Sequence, residues 1–266
     1  MKGTLVFSHA NGFPAGTYRV LFEAWRAADW RVLALPRFGH DSAFPVSASW
    51  PRLREQLIHF IETHAPSEKV HLVGHSLGGF LSLMVACRRP DLAGRVVMLE
   101  SPVIAGWRAH GLQVAKATGL FKRFSPSRVS SRRRHRWPSA TAAHLHFAAK
   151  AAFARWDPRV LNDYIACGME ADPAGAPGAV RLSFQREIET RIYDTLPHRL
   201  AGMLRRQPPA GPVSFIAGTR SAELRQAGME ATRKLVQERL QWIEGTHLFP
   251  MEKPEETAAA VLRALA

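Results

Sequence analysis

Short apolar runs alternate along this chain with stretches where apolar residues return every three or four positions, the periods of strands and of helices with one buried face. Residues 4–8 form the first strand candidate. A helix is predicted over 15–28, with Val20, Leu21, Ala24 and Trp25 on one face. A second strand is read over 30–35. Ser49 reads as an N-cap, and Pro51 suits the first turn of a helix that ends near Thr63. A third strand over 70–73 ends at Gly74, a helix over 77–89 is stopped by Pro90, and 96–99 is the fourth strand.

The rhythm then breaks. From Pro102 to about Pro209 the patterns are helical, without a convincing buried strand. Within that stretch, 171–178 is rich in Pro, Gly and Ala and reads as a loop, and Asp157-Pro158 reads as an N-cap and first helical residue. The alternation returns with a strand over 213–217, a helix over 222–237, a strand over 240–243 and a last helix over 254–265. No internal repeat is present. The expected architecture is α/β: a core of residues 1–102 and 210–266 with a mostly parallel sheet and helices on both faces, and a helical insertion over 103–209 after the fourth strand.

Composition narrows the class. With 46% apolar residues among 266, a large core is available and disorder is not the expected state. No apolar run approaches the roughly 20 residues of a bilayer span, so no stable membrane insertion is expected. Met1-Lys2-Gly3 passes directly into Thr4-Leu5-Val6-Phe7, without the longer apolar stretch and cleavage site of a signal peptide. The expectation is a cytoplasmic protein. Its two cysteines, Cys87 and Cys167, fit a reducing compartment, and nothing in the sequence supports a disulfide between them. The formal charge is +14, and 102–200 holds 16 lysines and arginines against seven acidic residues. Most of the excess therefore lies in the insertion.

The strongest chemical signal is Val70-His71-Leu72-Val73-Gly74-His75-Ser76-Leu77-Gly78-Gly79, a strand, then G-x-S-x-G, then a helix. A serine on a sharp strand-to-helix turn is lifted above the sheet, and glycines two positions either side let chain segments approach without a Cβ clash. The turn also sets the Leu77 N–H at a helix N-terminus, where it can hold a developing oxyanion. In this the chain resembles the α/β-hydrolase superfamily, over about 1–102 and 210–266. The resemblance implies a parallel-rich sheet and a nucleophile, an acid and a histidine in that chain order.

The other site residues follow from that resemblance. Gly245-Thr246-His247-Leu248-Phe249-Pro250, with Glu252 and Pro254 beyond, is similar to the family's histidine loop and nominates His247 as base. His75, beside the nucleophile, reads as structural. Ser8-His9-Ala10-Asn11-Gly12-Phe13-Pro14 resembles the loop that supplies a second oxyanion N–H, with Ala10 where the family has glycine. Asn11 is preferred as that donor and Phe13 is the alternative. His9 reads as a structural hydrogen-bonding residue.

The acid departs from the pattern. In most members an aspartate follows the strand before the last, and here that position is Ser221. Some hydrolases of this fold carry the acid after the strand that follows the nucleophile helix. In this chain that strand ends at Glu100, and a carboxylate at the end of an apolar strand needs a partner. Glu100 is preferred on burial and spacing. Glu223 and a dyad without an acid are the alternatives.

The insertion resembles the family's cap, with Trp107, Phe121, Phe124, Trp137, Phe147, Phe153, Trp156 and Tyr164 as apolar material, most of it expected simply to hold the cap together. The basic stretch 122–136, which includes Arg132-Arg133-Arg134-His135-Arg136, is expected to be a solvated face first, an anionic-substrate recruiter second and a nucleic-acid site last. The expected function is a serine hydrolase that cleaves an ester or thioester of a small acyl substrate through an acyl-enzyme, with an anionic substrate as one option. No metal or organic cofactor is implied. A non-catalytic binding protein on the same fold and an anion- or nucleic-acid-binding role for the insertion are the competing readings.

Overall fold

The computed structural model describes residues 1–104, 127–197 and 200–266. In chain order it begins with β1 (Thr4–Ser8), a short 3-10 turn (Ala15–Tyr18), α1 (Arg19–Ala27), β2 (Arg31–Ala34), α2 (Pro51–His64), β3 (Val70–His75), α3 (Leu77–Arg88) and β4 (Ala93–Leu99). Next come α4 (Ser127–Arg132), β5 (Arg136–Trp137), α5 (Ala140–Ala148), α6 (Pro158–Gly168), β6 (Met169–Ala171), β7 (Val180–Leu182), α7 (Arg186–Asp194) and α8 (Leu200–Arg206). The chain closes with β8 (Val213–Gly218), α9 (Ala222–Ala227), α10 (Glu230–Val236), β9 (Leu240–Ile243), α11 (Phe249–Glu252) and α12 (Pro254–Leu265).

Six strands form one wholly parallel sheet in the order β2-β1-β3-β4-β8-β9. Because strand side chains alternate between faces, neighbouring residues enter two separate cores. Val6, Leu72, Met98, Phe215 and Ala217 pack with α2 and α3. Leu5, Phe7, Val73, Leu99 and Ile216 pack on the other face with α1 and α12. Both faces are covered, which is why these strands read as continuous apolar runs. Parallel strands all point one way, so the turns that follow β1, β3, β4, β8 and β9 meet at a single edge of the sheet. That edge is where ligands bind in open α/β sheets.

Three local expectations are corrected. Trp50, not Ser49, occupies the cap of α2, with φ 62 and ψ 27. Contacts with the α7 region hold this turn: the Ser49 N–H donates to the Thr195 carbonyl at 2.9 Å and the Trp50 indole N–H to the Ile192 carbonyl at 3.1 Å. The helix expected over 222–237 is two helices, broken at Gly228, whose φ of 76 ends α9. Glycine takes that conformation without the Cβ penalty other residues meet. The stretch read as helical between β4 and β8 also contains an antiparallel sheet, β5-β7-β6, whose strands have two or three residues, too few to show a period. Its helices include the one anticipated at Asp157-Pro158, where the Asp157 carboxylate caps the Arg159 N–H at 2.8 Å. Among the described residues, no helix is long and apolar enough to cross a membrane.

Candidate active site

β3 ends in a strained turn. Ser76 has φ 53 and ψ −114, a region that costs a non-glycine residue about 1–3 kcal/mol. Packing explains how the turn is held. A Cβ on Gly74 would lie 2.2 Å from the Gly78 carbonyl carbon, and one on Gly78 would lie 1.9 Å from the Ser8 carbonyl oxygen. Strand, helix and the end of β1 therefore approach more closely than any side chain allows. The Ser76 N–H donates to the Leu99 carbonyl at 2.9 Å, and the Ser101 hydroxyl donates to the Ser76 carbonyl at 2.8 Å. Leu77 opens α3, so its N–H lies in the first turn, where no intrahelical acceptor exists.

Glu100 follows β4 directly, with φ 53, and its residue is 1% exposed. Donors from the β8 turn hold its carboxylate. The Gly218 N–H reaches Oε1 at 2.5 Å and the Ser221 hydroxyl reaches Oε2 at 2.8 Å. The same Oε2 lies 3.3 Å from His247 Nδ1. A carboxylate accepts, so Nδ1 carries the proton and Nε2 keeps its lone pair. Ser221, at the position where an acid was expected, thus donates to a carboxylate that enters from the neighbouring strand. Glu223 is exposed, and its carboxylate is 3.4 Å from the Ser221 hydroxyl.

The β1 turn carries the other nominated donor. The Phe13 N–H donates to the Ala10 carbonyl at 3.2 Å, and the Ala10 N–H donates to the Tyr18 hydroxyl at 3.2 Å. Among the described residues no hydrogen bond uses the Asn11 N–H. The Asn11 side chain is fixed from α7, donating through Nδ2 to the Glu189 carbonyl at 3.0 Å. His9 is fully buried. Its Nδ1 donates to the Ala10 carbonyl at 2.8 Å and its Nε2 accepts from the Phe38 N–H at 3.0 Å. Burial lowers its pKa to about 4, so it is neutral and structural, as its sequence context implied.

Ser76, Leu77, Asn11, Glu100 and His247 all border one cavity of about 570 Å³. Trp50, Phe80, Ile192 and Leu196 supply much of its apolar wall, and Tyr193, Glu223 and Gln226 its polar margin. Apart from Glu223, nothing in the sequence singles these residues out. Ile188, Ile192 and Leu196 do repeat at helical spacing, which marks a buried face without saying what it faces.

Within the basic stretch, Arg128 and Arg132 are exposed, whereas three arginines have partners in the molecule. Arg133 pairs with Glu189 at 2.8 Å, and the two side chains are only 16% and 8% exposed. Arg134 lies over the Trp137 ring, and Arg136 pairs with Asp172 at 3.4 Å. Burial raises the Glu189 carboxyl while Arg133 opposes that rise. Trp137, Phe147, Phe153, Trp156 and Tyr164 pack as an aromatic cluster, and Phe13 packs at a tilt against three of them. They act as core. Trp107, Phe121, Phe124 and the part of the basic stretch before Ser127 lie outside the described residues.

Comparison with known proteins bears on the fold and family. The model of the Alpha/beta hydrolase family matches residues 5–260. The chain therefore belongs to the alpha/beta hydrolase family, and a hydrolase is the class that fold and family define. A monoglyceride lipase of Mus musculus is 30% identical over 110 residues, which are 39% of this chain and 36% of that protein. The match thus spans about a third of the relative's length. Among solved structures, the thioesterase domain from the curacin biosynthetic pathway superposes with a TM-score of 0.72 at 20% identity, covering 98% of this chain and 90% of that one. The peroxisomal alpha-beta-hydrolase Lpx1 from Saccharomyces cerevisiae gives 0.74 at 18% identity, covering 100% and 78%. At these identities the two structures share the fold with this chain.

Proposed function

We propose that this protein is a serine hydrolase that cleaves an ester or thioester through an acyl-enzyme. The contact of His247 Nδ1 with buried Glu100 carries the reading, because it fixes the tautomer in which Nε2 can accept the Ser76 proton. Ser76 Oγ attacks the acyl carbonyl as its proton passes to His247. The tetrahedral oxyanion is held by the N–H groups of Leu77 and Asn11. Asn11 is preferred to Phe13 because the Phe13 N–H already has an acceptor. The His247 imidazolium, stabilised by Glu100, returns the proton to the departing alcohol or thiol. Water, activated by the same His247, then releases the acid and restores Ser76.

Residues 103–209 act in this reading as a cap over the core formed by 1–102 and 210–266. Ile104, Ile192, Tyr193 and Leu196 are its contribution to the acyl cavity. The apolar wall favours an aliphatic or aromatic acyl group. A lipase and a thioesterase among similar proteins are consistent with either leaving group. Arg133, largely buried in its pair with Glu189, is not presented to an anionic partner.

The test is mass spectrometry after treatment with a fluorophosphonate, with Ser76→Ala as control. One adduct on Ser76, absent from the variant, is expected, followed by turnover on a panel of p-nitrophenyl esters and acyl thioesters. Folded protein that takes no adduct and turns over nothing would favour a non-catalytic binding role.

A further inference from the structure

Two buried residues outside the proposed triad join the loops that carry the proposed oxyanion donor, the nucleophile and the base. His75 is 0% exposed and Tyr18 1% exposed. His75 Nε2 lies 2.9 Å from the carbonyl oxygen of His247. A carbonyl only accepts, so Nε2 bears the proton. Burial, with His247 nearby, holds the His75 pKa well below 6.5, so the ring is neutral and its Nδ1 is an acceptor. Tyr18 Oη, 2.7 Å away, therefore donates to Nδ1 and takes the Ala10 N–H with its own lone pair. Every direction in this chain is settled: Ala10 N–H to Tyr18 O–H, Tyr18 O–H to His75 Nδ1, His75 Nε2–H to the His247 carbonyl.

Sequence neighbours give the chain its meaning. Ala10 precedes Asn11, His75 precedes Ser76, and the last acceptor is the backbone of His247. We infer that Tyr18 and His75 are positioning residues, which set the distances among the oxyanion donor, the nucleophile and the base without touching substrate. Packing supports rigidity: the Tyr18 ring lies 4.6 Å from Phe7 and 5.9 Å from His75, and the His75 and His247 rings are 5.2 Å apart. Reacting groups must be held to within about 0.5 Å, and supporting hydrogen bonds are how proteins achieve this. Phe at position 18 would fill the same space but lose both links at the hydroxyl.

This inference rests on the serine-hydrolase reading, and one series separates the two. Wild type, Tyr18→Phe, His75→Leu and His75→Gln are titrated with fluorophosphonate to count active sites, and kcat and KM for a p-nitrophenyl ester are expressed per titrated site. We expect Tyr18→Phe to lower kcat about tenfold with KM unchanged. His75→Leu should lower it further. His75→Gln, whose amide N–H replaces the donor to the His247 carbonyl, should recover part of the loss. A merely structural role would lower the melting temperature and the titratable fraction but leave kcat per site at the wild-type value. That outcome, with wild type labelled normally, overturns the inference alone. Wild type that takes no label overturns the hydrolase reading and this inference with it.

Discussion

Glu100→Gln is the substitution that tests the site most directly, because it removes one charge and almost no volume. The Gly218 N–H is a fixed donor on Oε1, so the amide of the variant must turn its oxygen there. Its NH₂ then faces Ser221 and His247. His247 Nδ1 becomes an acceptor, the imidazole carries its proton on Nε2, and the Ser76 proton has nowhere to go. The imidazolium of the transition state also loses its counter-charge. Two unit charges 3.3 Å apart interact by about 5 kcal/mol at an effective dielectric near 20. The His247 side chain is 19% exposed, so screening trims this toward about 3 kcal/mol. The expected fall in kcat is therefore about 10²- to 10⁴-fold, with KM little changed. The assay is ester hydrolysis per fluorophosphonate-titrated site, on protein shown to be folded by circular dichroism. Glu223→Gln in parallel should change kcat by less than about threefold, since an exposed carboxylate in water couples weakly. A Glu100→Gln protein that retains more than about a tenth of wild-type kcat, or a larger loss in Glu223→Gln, would refute the assignment of the acid.

Adding Ser221→Asp to Glu100→Gln should recover at least about tenfold in kcat, because the Ser221 hydroxyl already lies 2.8 Å from the oxygen that meets His247 and aspartate caps α9 as well as serine does; an unrecovered double variant would show that only the β4 route reaches the ring. Arg133→Ala should destabilise the fold by about 3 kcal/mol in urea, leaving Glu189 buried without its partner, whereas Arg132→Ala should stay within about 0.5 kcal/mol; equal effects would mean the ion pair does not form. His9 titrates at about 4 when folded and near its ordinary 6.5 when unfolded, so the unfolded chain binds more protons between those values. Its contribution is complete above pH 6.5 and is lost progressively as pH falls from 6.5 to about 4, about 2–3 kcal/mol of it by pH 4.5; urea unfolding at pH 7 and pH 4.5 reads it, and a His9→Gln protein with the same acid loss would place the effect elsewhere.

What the chain determines by itself is local. The apolar runs located the six strands of the main sheet to within a few residues. Gly74-x-Ser76-x-Gly78 named the elbow, because only glycine fits where Gly78 meets the Ser8 carbonyl, and that need is written at fixed spacing. His247 is nominated by a local pattern too, the loop that follows the last strand. Other features were hidden because their causes are distant in sequence. The turn into α2 is set by Thr195 and Ile192 rather than by Ser49. The strands β5, β6 and β7 are too short to carry a period. Sequence favours Glu100 over Glu223 as the acid, on burial and spacing at the end of an apolar strand. Tertiary structure adds what sequence could not: Glu100 is buried against Gly218, Ser221 and His247 while Glu223 faces water. The same holds for Tyr18, which in sequence is one aromatic in a helical stretch. Its hydroxyl acquires a role only because a parallel sheet gathers the ends of β1, β3 and β9 at one edge. Motifs record what neighbouring residues require of one another, and a site assembled from five turns is decided by the sheet that aligns them.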